Sequence, residues 1–379
     1  MEEGRKFITL GEVASFSRGL TFAKGDVASS SSKRVLRSNN IDLETSSLNF
    51  DDVACLKEEF LIPQEKKLRK NDIFICMSNG STQHLGKVAF ISENIDYAFG
   101  GFMGAIHPNP LLVYPKYVYF SCLSLKYRRF LASIFNGINI NNLKWSDLSK
   151  YQIPIPPIPE QERIVAELDL LTDIIDKQKT QLKELDTLAS SIFYDMFGNP
   201  VDNTKGWKME RLQSLCSSLF AGGDVPKDSL SDIKTAEFAV PIISNGVGDK
   251  ALYGYTRKAR VFDESITISG RGTIGYCEVR TQPFFPVVRL IVATPDKTKI
   301  LPIVLKFIVD SLPLRGNGGA IPQLTIPMVK DIQIILPPIE LQQSFADKIE
   351  VIERQKANIN ASIAETQKLF DYTMDKYFG

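Results

Sequence analysis

The stretch IPIPPIPEQERIVAEL, residues 153–168, recurs as IQIILPPIELQQSFADKI, residues 332–349. Laying Pro156-Pro157 on Pro337-Pro338 sets an offset of 181. Without a gap, that offset pairs Gln161 with Gln342 and Phe197-Gly198 with Phe378-Gly379. Followed backwards, it pairs Asn142-Leu143 with Gln323-Leu324. Self-similarity over about 60 residues at one fixed offset marks a duplicated unit. Farther upstream the likeness loosens but keeps its order. Residues 35–40 (VLRSNN) match 241–246 (PIISNG), and Leu10–Val13 match Leu212–Leu215. Asp72–Ile75 followed by Gly86–Val88 match Ser265–Ile268 followed by Gly275–Cys277. Each copy reads as a globular domain, a Pro-Pro turn and a long helix.

Each helix carries a sustained heptad. In the first copy Ile164, Leu168, Leu171, Ile175, Gln178, Leu182, Leu185, Ala189, Ile192 and Met196 alternate steps of four and three. In the second, Phe345, Ile349, Ile352, Lys356, Ile359, Ile363, Thr366, Phe370, Thr373 and Tyr377 do so in the same phase. A 3.5-residue period is a coiled-coil seam rather than the broader stripe of a core helix. The prolines block an earlier helix start, Glu160 and Glu162 suit the positive end of the helix dipole, and Gly198 is a good C-cap. Roughly 38 residues at about 1.5 Å each give a rod of about 57 Å. The polar seam members Gln178, Lys356, Thr366 and Thr373 suit the fixing of partner and register. A dimerisation coiled coil between chains would use the same pattern; the duplication favours an internal antiparallel pair.

The expected boundaries are a first domain over 1–155, a helix over 156–198, a second domain over 199–336 and a helix over 337–379. The domains read as mixed strand and helix. Ile73–Met77, Val88–Ile91, Ser265–Ser269 and Leu290–Ala293 are β-rich runs between Gly, Asn and Ser turns. A helix is expected over Pro115–Ile134, with a counterpart at Leu301–Leu312. The fold class is therefore α+β: two tandem mixed domains separated by two long helices in an antiparallel coiled coil, pseudo-two-fold symmetric.

Composition narrows the function. With 379 residues, 44% hydrophobic and 23% charged, the chain is globular in type and long enough for more than one domain. No run of about 18 apolar residues spans a membrane. The opening MEEGRKFITLGEV is acidic where a secretory signal is basic, so a soluble, cytoplasmic protein is expected. Cys55, Cys76, Cys122, Cys216 and Cys277 are dispersed and odd in number, which suits reduced thiols. His84 and His107 are too few and isolated for a metal site and read as ordinary loop or surface residues. The net charge of +1 alone argues against a nucleic-acid binder, but it is unevenly spread. Residues 1–152 carry +4, 153–198 carry −5, 199–335 carry +4 and 336–379 carry −2. Basic domains and acidic helices fit domains that touch DNA and helices that do not.

Catalytic signatures fail together. Gly270 to Gly275 formally spells G-x-G-x-x-G, but Tyr276–Arg280 and then Pro283 continue as a strand and a break, not as the helix a dinucleotide needs. A loop between two strands fits better. There is no P-loop and no G-x-S-x-G elbow, and two histidines leave little room for a Ser-His-Asp arrangement. Pro-Pro occurs only where the helices begin, flanked by Ile and Leu, unlike the Asn/Asp-Pro-Pro-aromatic motif of amino-group DNA methyltransferases.

The doubled Pro-Pro turn opening a long heptad helix, with Pro156-Pro157-Ile158 and Glu160-Gln161 in one copy and Pro337-Pro338-Ile339 and Gln342 in the other, resembles the specificity subunits of type I restriction-modification systems. The likeness covers essentially the whole chain. Departures are Glu340-Leu341-Gln342, which keeps only the glutamine, and Phe7 where the other half has Trp207. The resemblance implies two target-recognition domains, each reading half of a bipartite, asymmetric double-stranded DNA target, with the helices setting the gap. It implies no catalytic site and no cofactor in this chain. Two methyltransferase subunits would bring S-adenosylmethionine, and motor-nuclease subunits, as further partners, would use ATP and Mg. A protein-binding scaffold and a stand-alone DNA-modifying enzyme are the competing readings.

On that reading the candidate DNA contacts are polar and basic residues of turns. In the first domain they are Arg37, Asn39, Asn40, Ser78, Asn79, Ser81, Gln83 and Lys87. In the second they are Ser244, Asn245, Tyr255, Arg257, Lys258, Arg260, Arg271, Thr273, Arg315 and Asn317. Arg suits guanine edges and Asn or Gln suits adenine. Lys87 and Lys258 read as phosphate contacts. Ser38-Asn39 and Ser244-Asn245 equally suit turn formation, the serines above all.

Overall fold

The computed structural model describes residues 6–135, 142–226, 229–314 and 323–379. The chain divides into two compact units, residues 1–178 with 362–379 and residues 179–361. Both divisions fall inside the long helices Ile158–Phe197 and Ile339–Phe378, each 40 residues. Each unit therefore holds one domain, the first half of the helix that follows it and the last half of the other helix.

In the first unit an antiparallel sheet runs in the order Ala14–Arg18, Met103–Pro108, Ile73–Cys76, Val88–Phe90. A second sheet joins Val27–Ala28, Ala54–Leu56, Lys33–Leu36 and Ala98–Phe99, the last pair parallel. Strand alternation explains the layering. Ile73 and Ile75 face a core with Tyr117, Val118 and Leu131, while Phe74 and Cys76 face another with Leu36 and Phe99. Both faces are covered, so this strand is apolar throughout.

The second unit repeats the plan. Its four strands order as Cys216–Ala221, Ile291–Pro295, Ser265–Ile268, Cys277–Arg280. Its smaller sheet joins Leu252–Thr256, Val240–Ile243 and Phe285–Pro286, the last again parallel. The helix expected at Leu301–Leu312 is Pro302–Ser311. The single helix expected over Pro115–Ile134 is corrected to two, Pro115–Ser121 and Leu125–Phe135. Ser124 makes the break: its Oγ accepts the Tyr127 N–H at 3.1 Å and donates to the Ser121 carbonyl at 2.8 Å, capping a new start.

The long helices pack together antiparallel. In the first unit Arg163 Nη2 donates to the Tyr377 hydroxyl at 2.9 Å, and Gln178 Nε2 donates to Ser362 Oγ at 2.7 Å. In the second, Lys356 Nζ meets Asp186 at 2.8 Å. Numbers rise along one helix as they fall along the other. Every heptad position named above is buried or half-buried. The helices are not separate from the domains, however, as a plain rod would be. Ile164, Val165, Leu168, Met374 and Phe378 belong to the first core, and Ala189, Phe193, Phe197, Phe345, Ile349 and Ile352 to the second. Phe193, Phe197, Met374 and Phe378 lie one step off the seam, which turns the final helical turns toward the domain. Only the middle stretch, with Ile175, Leu182, Ile359 and Ile363, joins neither core. Among the described residues no helix is long and apolar enough to cross a membrane.

Candidate nucleic-acid interface

Backbone hydrogen bonds fix which residues of the two units correspond. Gly19 N–H donates to the Met103 carbonyl at 3.0 Å, as Gly222 N–H does to Leu290 at 2.7 Å. Gly100 N–H donates to Leu36 at 2.9 Å, as Val287 N–H does to Ile243 at 2.9 Å. Leu143 N–H donates to Met77 at 2.7 Å, as Leu324 N–H does to Gly270 at 2.8 Å. Gly19 and Gly222 occupy a close approach that excludes a side chain: a Cβ would lie 1.9 Å from the Gly100 oxygen in one and 2.7 Å from the Pro286 carbonyl carbon in the other.

This register corrects one match. Leu36 corresponds to Ile243, so Ser38 stands at the place of Asn245, and the Ser38-Asn39 and Ser244-Asn245 pairs are offset by one. Turn residues favour the same dipeptide wherever a strand ends, whereas the parallel strand pairing allows a single register.

In the first unit four loop segments converge on a cavity of about 780 Å³ lined by Leu20–Phe22, Arg37–Asn39, Ser78–Gly80 and Gly100–Met103. Six polar residues come together there: Thr21, Arg37, Ser38, Asn39, Ser78 and Asn79. Asn79 Nδ2 donates to Ser38 Oγ at 3.2 Å, tying two of the loops. Asp52 accepts from Arg37 Nη2 at 3.0 Å and from Asn39 Nδ2 at 3.1 Å, holding both side chains. The buried Arg37 Nε has no hydrogen-bond partner among the described residues. Asn79 Oδ1 accepts the Ser81 N–H at 3.0 Å, and Ser81 and Gln83 are exposed beside it.

Two candidates leave this set. Asn40 is fully buried; its Oδ1 accepts the Arg37 N–H at 2.8 Å and its Nδ2 donates to Asn49 and Asp52 carbonyls. Lys87 is buried too, donating to the Ile41 carbonyl at 2.8 Å, and burial pushes its pKa below the usual lysine range. Both side chains are structural. A phosphate contact by Lys87 is corrected, because a glycine-turn position does not guarantee that a long side chain points outward.

In the second unit the same loops are joined by another residue. Asn245 Oδ1 accepts the Gly270 N–H at 2.7 Å and Nδ2 donates to the Val288 carbonyl at 2.7 Å. Ser244 Oγ donates to the Ala251 carbonyl at 3.3 Å. Arg271 Nη2 donates to Gln323 Oε1 at 2.7 Å, and Thr273 is exposed in the same loop. That loop runs between strands Ser265–Ile268 and Cys277–Arg280, so the glycine motif is a hairpin turn. Arg257 pairs with Glu237 at 2.7 Å, Arg260 lies 4.6 Å over the Phe220 ring, Lys258 is exposed and Tyr255 is half-buried. Arg315 and Asn317 lie outside the described residues. Sequence reasoning missed Phe102, 73% exposed beside the first cavity, and Arg289, exposed at the corresponding position. Only the structural register could find them, since neither stands in a recognisable motif.

His107 is not a loop residue but lies on the strand Met103–Pro108. Its Nδ1 meets Asp72 Oδ1 at 2.6 Å and its Nε2 meets Ser17 Oγ at 2.8 Å, a Ser-His-Asp chain with the spacing of a catalytic triad. Ser17 lies within a paired strand opposite Ala105, with no exposed turn to present it for attack, so the chain is a strut between strands. Among the described residues no group of His, Cys, Asp or Glu could hold a metal ion.

The family model described as type I restriction modification DNA specificity domain matches residues 2–187 and again 204–367. The StySPI specificity subunit of Salmonella potsdam is 24% identical, the match covering 100% of this chain and 89% of that protein. The EcoKI specificity subunit of Escherichia coli K12 is 28% identical over 55% of this chain, and the chain spans only 45% of that relative's length. Among solved structures, the S subunit of a type I system from M. genitalium aligns over 100% of this chain and 98% of its own, with a TM-score of 0.60 and 14% identity. A chain from a study of complex assembly in the type I R-M system gives 0.57 at 18% identity, covering 100% of this chain. These likenesses show the fold of both repeats.

Proposed function

This chain belongs to the type I restriction modification DNA specificity family, and on that premise we propose that each of its units reads one half of a bipartite, asymmetric duplex target. Catalysis lies in partner subunits. One observation carries the reading. The two units keep the same loop framework, down to Gly19 and Gly222, yet line it with different side chains: Ser38, Asn39, Ser78 and Asn79 in one, Asn245, Arg271 and Arg260 in the other. A shared frame with changed contacts is what two different half-sites demand. Phosphates would be met by exposed cations such as Lys258, and Arg257, Tyr255, Thr273 and Ser244 complete the second surface. The unbroken 40-residue helices, about 60 Å long at 1.5 Å per residue, would set the gap between half-sites.

The partners are two modification subunits, one on each unit, which methylate adenine using S-adenosylmethionine on a flipped base; motor-nuclease subunits join for cleavage. Support comes from exposed apolar residues on the acidic helix pair. Leu170 and Leu369 are exposed in the first unit, Val351 and Leu188 in the second. The Arg163–Tyr377 and Gln178–Ser362 bonds set Leu170 level with Leu369. Heptad phase puts both on one side of the pair. The offset of 181 turns Leu170 into Val351 and Leu188 into Leu369, so one patch occurs once per unit.

The test is salt-dependent duplex binding by the assembled complex. Arg271→Ala should weaken recognition in one half-site alone. Equal loss at both halves would refute the modular assignment, and absence of sequence preference in the parent complex would refute the DNA role.

A further inference from the structure

The turn that closes the interface in the second unit is strained. Val288 and Arg289 are consecutive non-glycine residues at φ 53° and 63°. For a β-branched valine this is costly and persists only where the surroundings enforce it. They do. Val288 N–H donates to the Gly223 carbonyl at 2.9 Å, Arg289 N–H donates to Gly222 at 3.2 Å, and Asn245 Nδ2 holds the Val288 carbonyl at 2.7 Å. The Gly222 that accepts from Arg289 is the residue whose side chain the fold forbids. The effect is to fix the backbone of an exposed arginine whose guanidinium has no hydrogen-bond or ion-pair partner among the described residues. Arg257 and Arg271, by contrast, are held by Glu237 and Gln323.

The hydrogen-bond register gives this position a counterpart. With Val287 at the place of Gly100 and Leu290 at that of Met103, Arg289 stands where the first unit has Phe102. Phe102 is the most exposed aromatic of its cavity, and its carbonyl accepts from both Met77 N–H and Ser78 N–H at 2.9 and 3.0 Å. In both units the crest residue is thus pinned by its main chain with its side chain left free.

We infer that Arg289 and Phe102 are the base-discriminating residues at the crests of the two recognition surfaces. Arg289 presents a guanidinium fork to a guanine edge in the major groove, and Phe102 presents a ring to a thymine methyl or a base face. The chemistries follow from the groups: an unpaired, pre-oriented guanidinium matches the guanine O6/N7 pair, and a bare phenyl ring can read only apolar features. The inference rests on the DNA-reading function proposed above and names where that reading is decided.

The experiment selects preferred duplexes from a randomised pool with the assembled complex carrying parent chain, Arg289→Lys, Arg289→Ala or Phe102→Ala. Arg289→Lys keeps the charge and loses the fork. It should lower preference for guanine at one position of one half-site by about 5- to 150-fold, the other half-site unchanged. Phe102→Ala should relax one position in the opposite half-site. If Arg289→Lys matches the parent while Arg289→Ala weakens all sequences evenly, Arg289 is a phosphate contact and the inference is overturned. Unchanged selections overturn it as well. A parent complex that selects no sequence refutes the DNA-reading function itself, which separates the two failures.

Discussion

The side-chain oxygen Oε1 of Gln161 accepts the backbone N–H of Tyr114 at 2.8 Å. Tyr114 is the residue before the helix Pro115–Ser121, while Gln161 Nε2 donates to the Pro156 carbonyl at 2.7 Å inside the Pro-Pro turn. The second copy repeats the clamp. Gln342 Oε1 accepts from Leu301 N–H, before the helix Pro302–Ser311, and Nε2 donates to Pro337 and Lys299 carbonyls, all at 2.9 Å. Both glutamines are buried. One side chain per copy thus fixes the start of a long helix against the domain beneath it.

Replacing Gln161 with leucine strands a half-buried N–H and one carbonyl, and replacing Gln342 strands a half-buried N–H and two carbonyls. The expected cost is about 1–3 kcal/mol for Gln161→Leu. Hydrogen exchange should show the loss at the Tyr114 amide and spare that of Leu301. Unchanged protection at Tyr114 would show that the clamp is incidental.

The surviving glutamine was visible in the sequence, but its partners were not. Repeat offset and heptad phase are local, periodic signals, so they gave the duplication and the helix pair. Which helix start Gln161 meets depends on a fold-back of 47 residues, about which periodicity is silent. The same limit explains the misplacement of Asn40 and Lys87, since a turn composition does not say which way a side chain points. It explains Phe193, Phe197 and Phe378 too: strict heptad spacing leaves out the off-seam aromatics that fasten helix ends to the domains. At the proposed interface, residue type pointed to Arg37, Asn39, Ser78 and Asn79, which the structure brings to one cavity, whereas Phe102 and Arg289 needed the hydrogen-bond register.

Phe345 tests the fusion of helix and domain. Its ring lies against Phe193, Phe197 and Phe307, with centroids 5.1 to 5.7 Å away. Phe345→Ala should destabilise the second unit by about 3–5 kcal/mol. Ile359→Ala, in the half-buried middle stretch, should cost clearly less. Equal costs by urea denaturation would mean that the helix pair, not the domain, carries Phe345.

Lys87 gives a pH dependence with a definite sign. Burial holds its folded pKa below the unfolded lysine value. Between the two, the unfolded chain binds a proton that the folded chain has shed, so stability rises with pH across that window. Below it the buried charge remains a penalty. Lys87→Met should therefore compare best with the parent near neutral pH and lose ground as pH climbs toward the ordinary lysine range. It should leave the salt slope of DNA binding untouched, whereas Lys258→Ala, at an exposed cation, should reduce it by about 0.9. A flattened slope in Lys87→Met would return that lysine to the interface.

Partner stoichiometry turns on the duplicated apolar patch. Leu170→Asp with Leu369→Asp places two carboxylates on an already acidic helix surface of the first unit and leaves Leu188 and Val351 of the second intact. Because all four side chains are exposed, the folded chain should lose little stability. A partner subunit seated on the patch would lose apolar area and gain charge repulsion. On the proposed arrangement the parent should bind two modification subunits and the altered chain one, by native mass measurement, and the complementary Leu188→Asp, Val351→Asp chain should also bind one. The all-four variant should bind none. If every variant still binds two, the modification subunits dock elsewhere; if either double variant loses both, the sites are not independent and the one-per-unit arrangement is wrong.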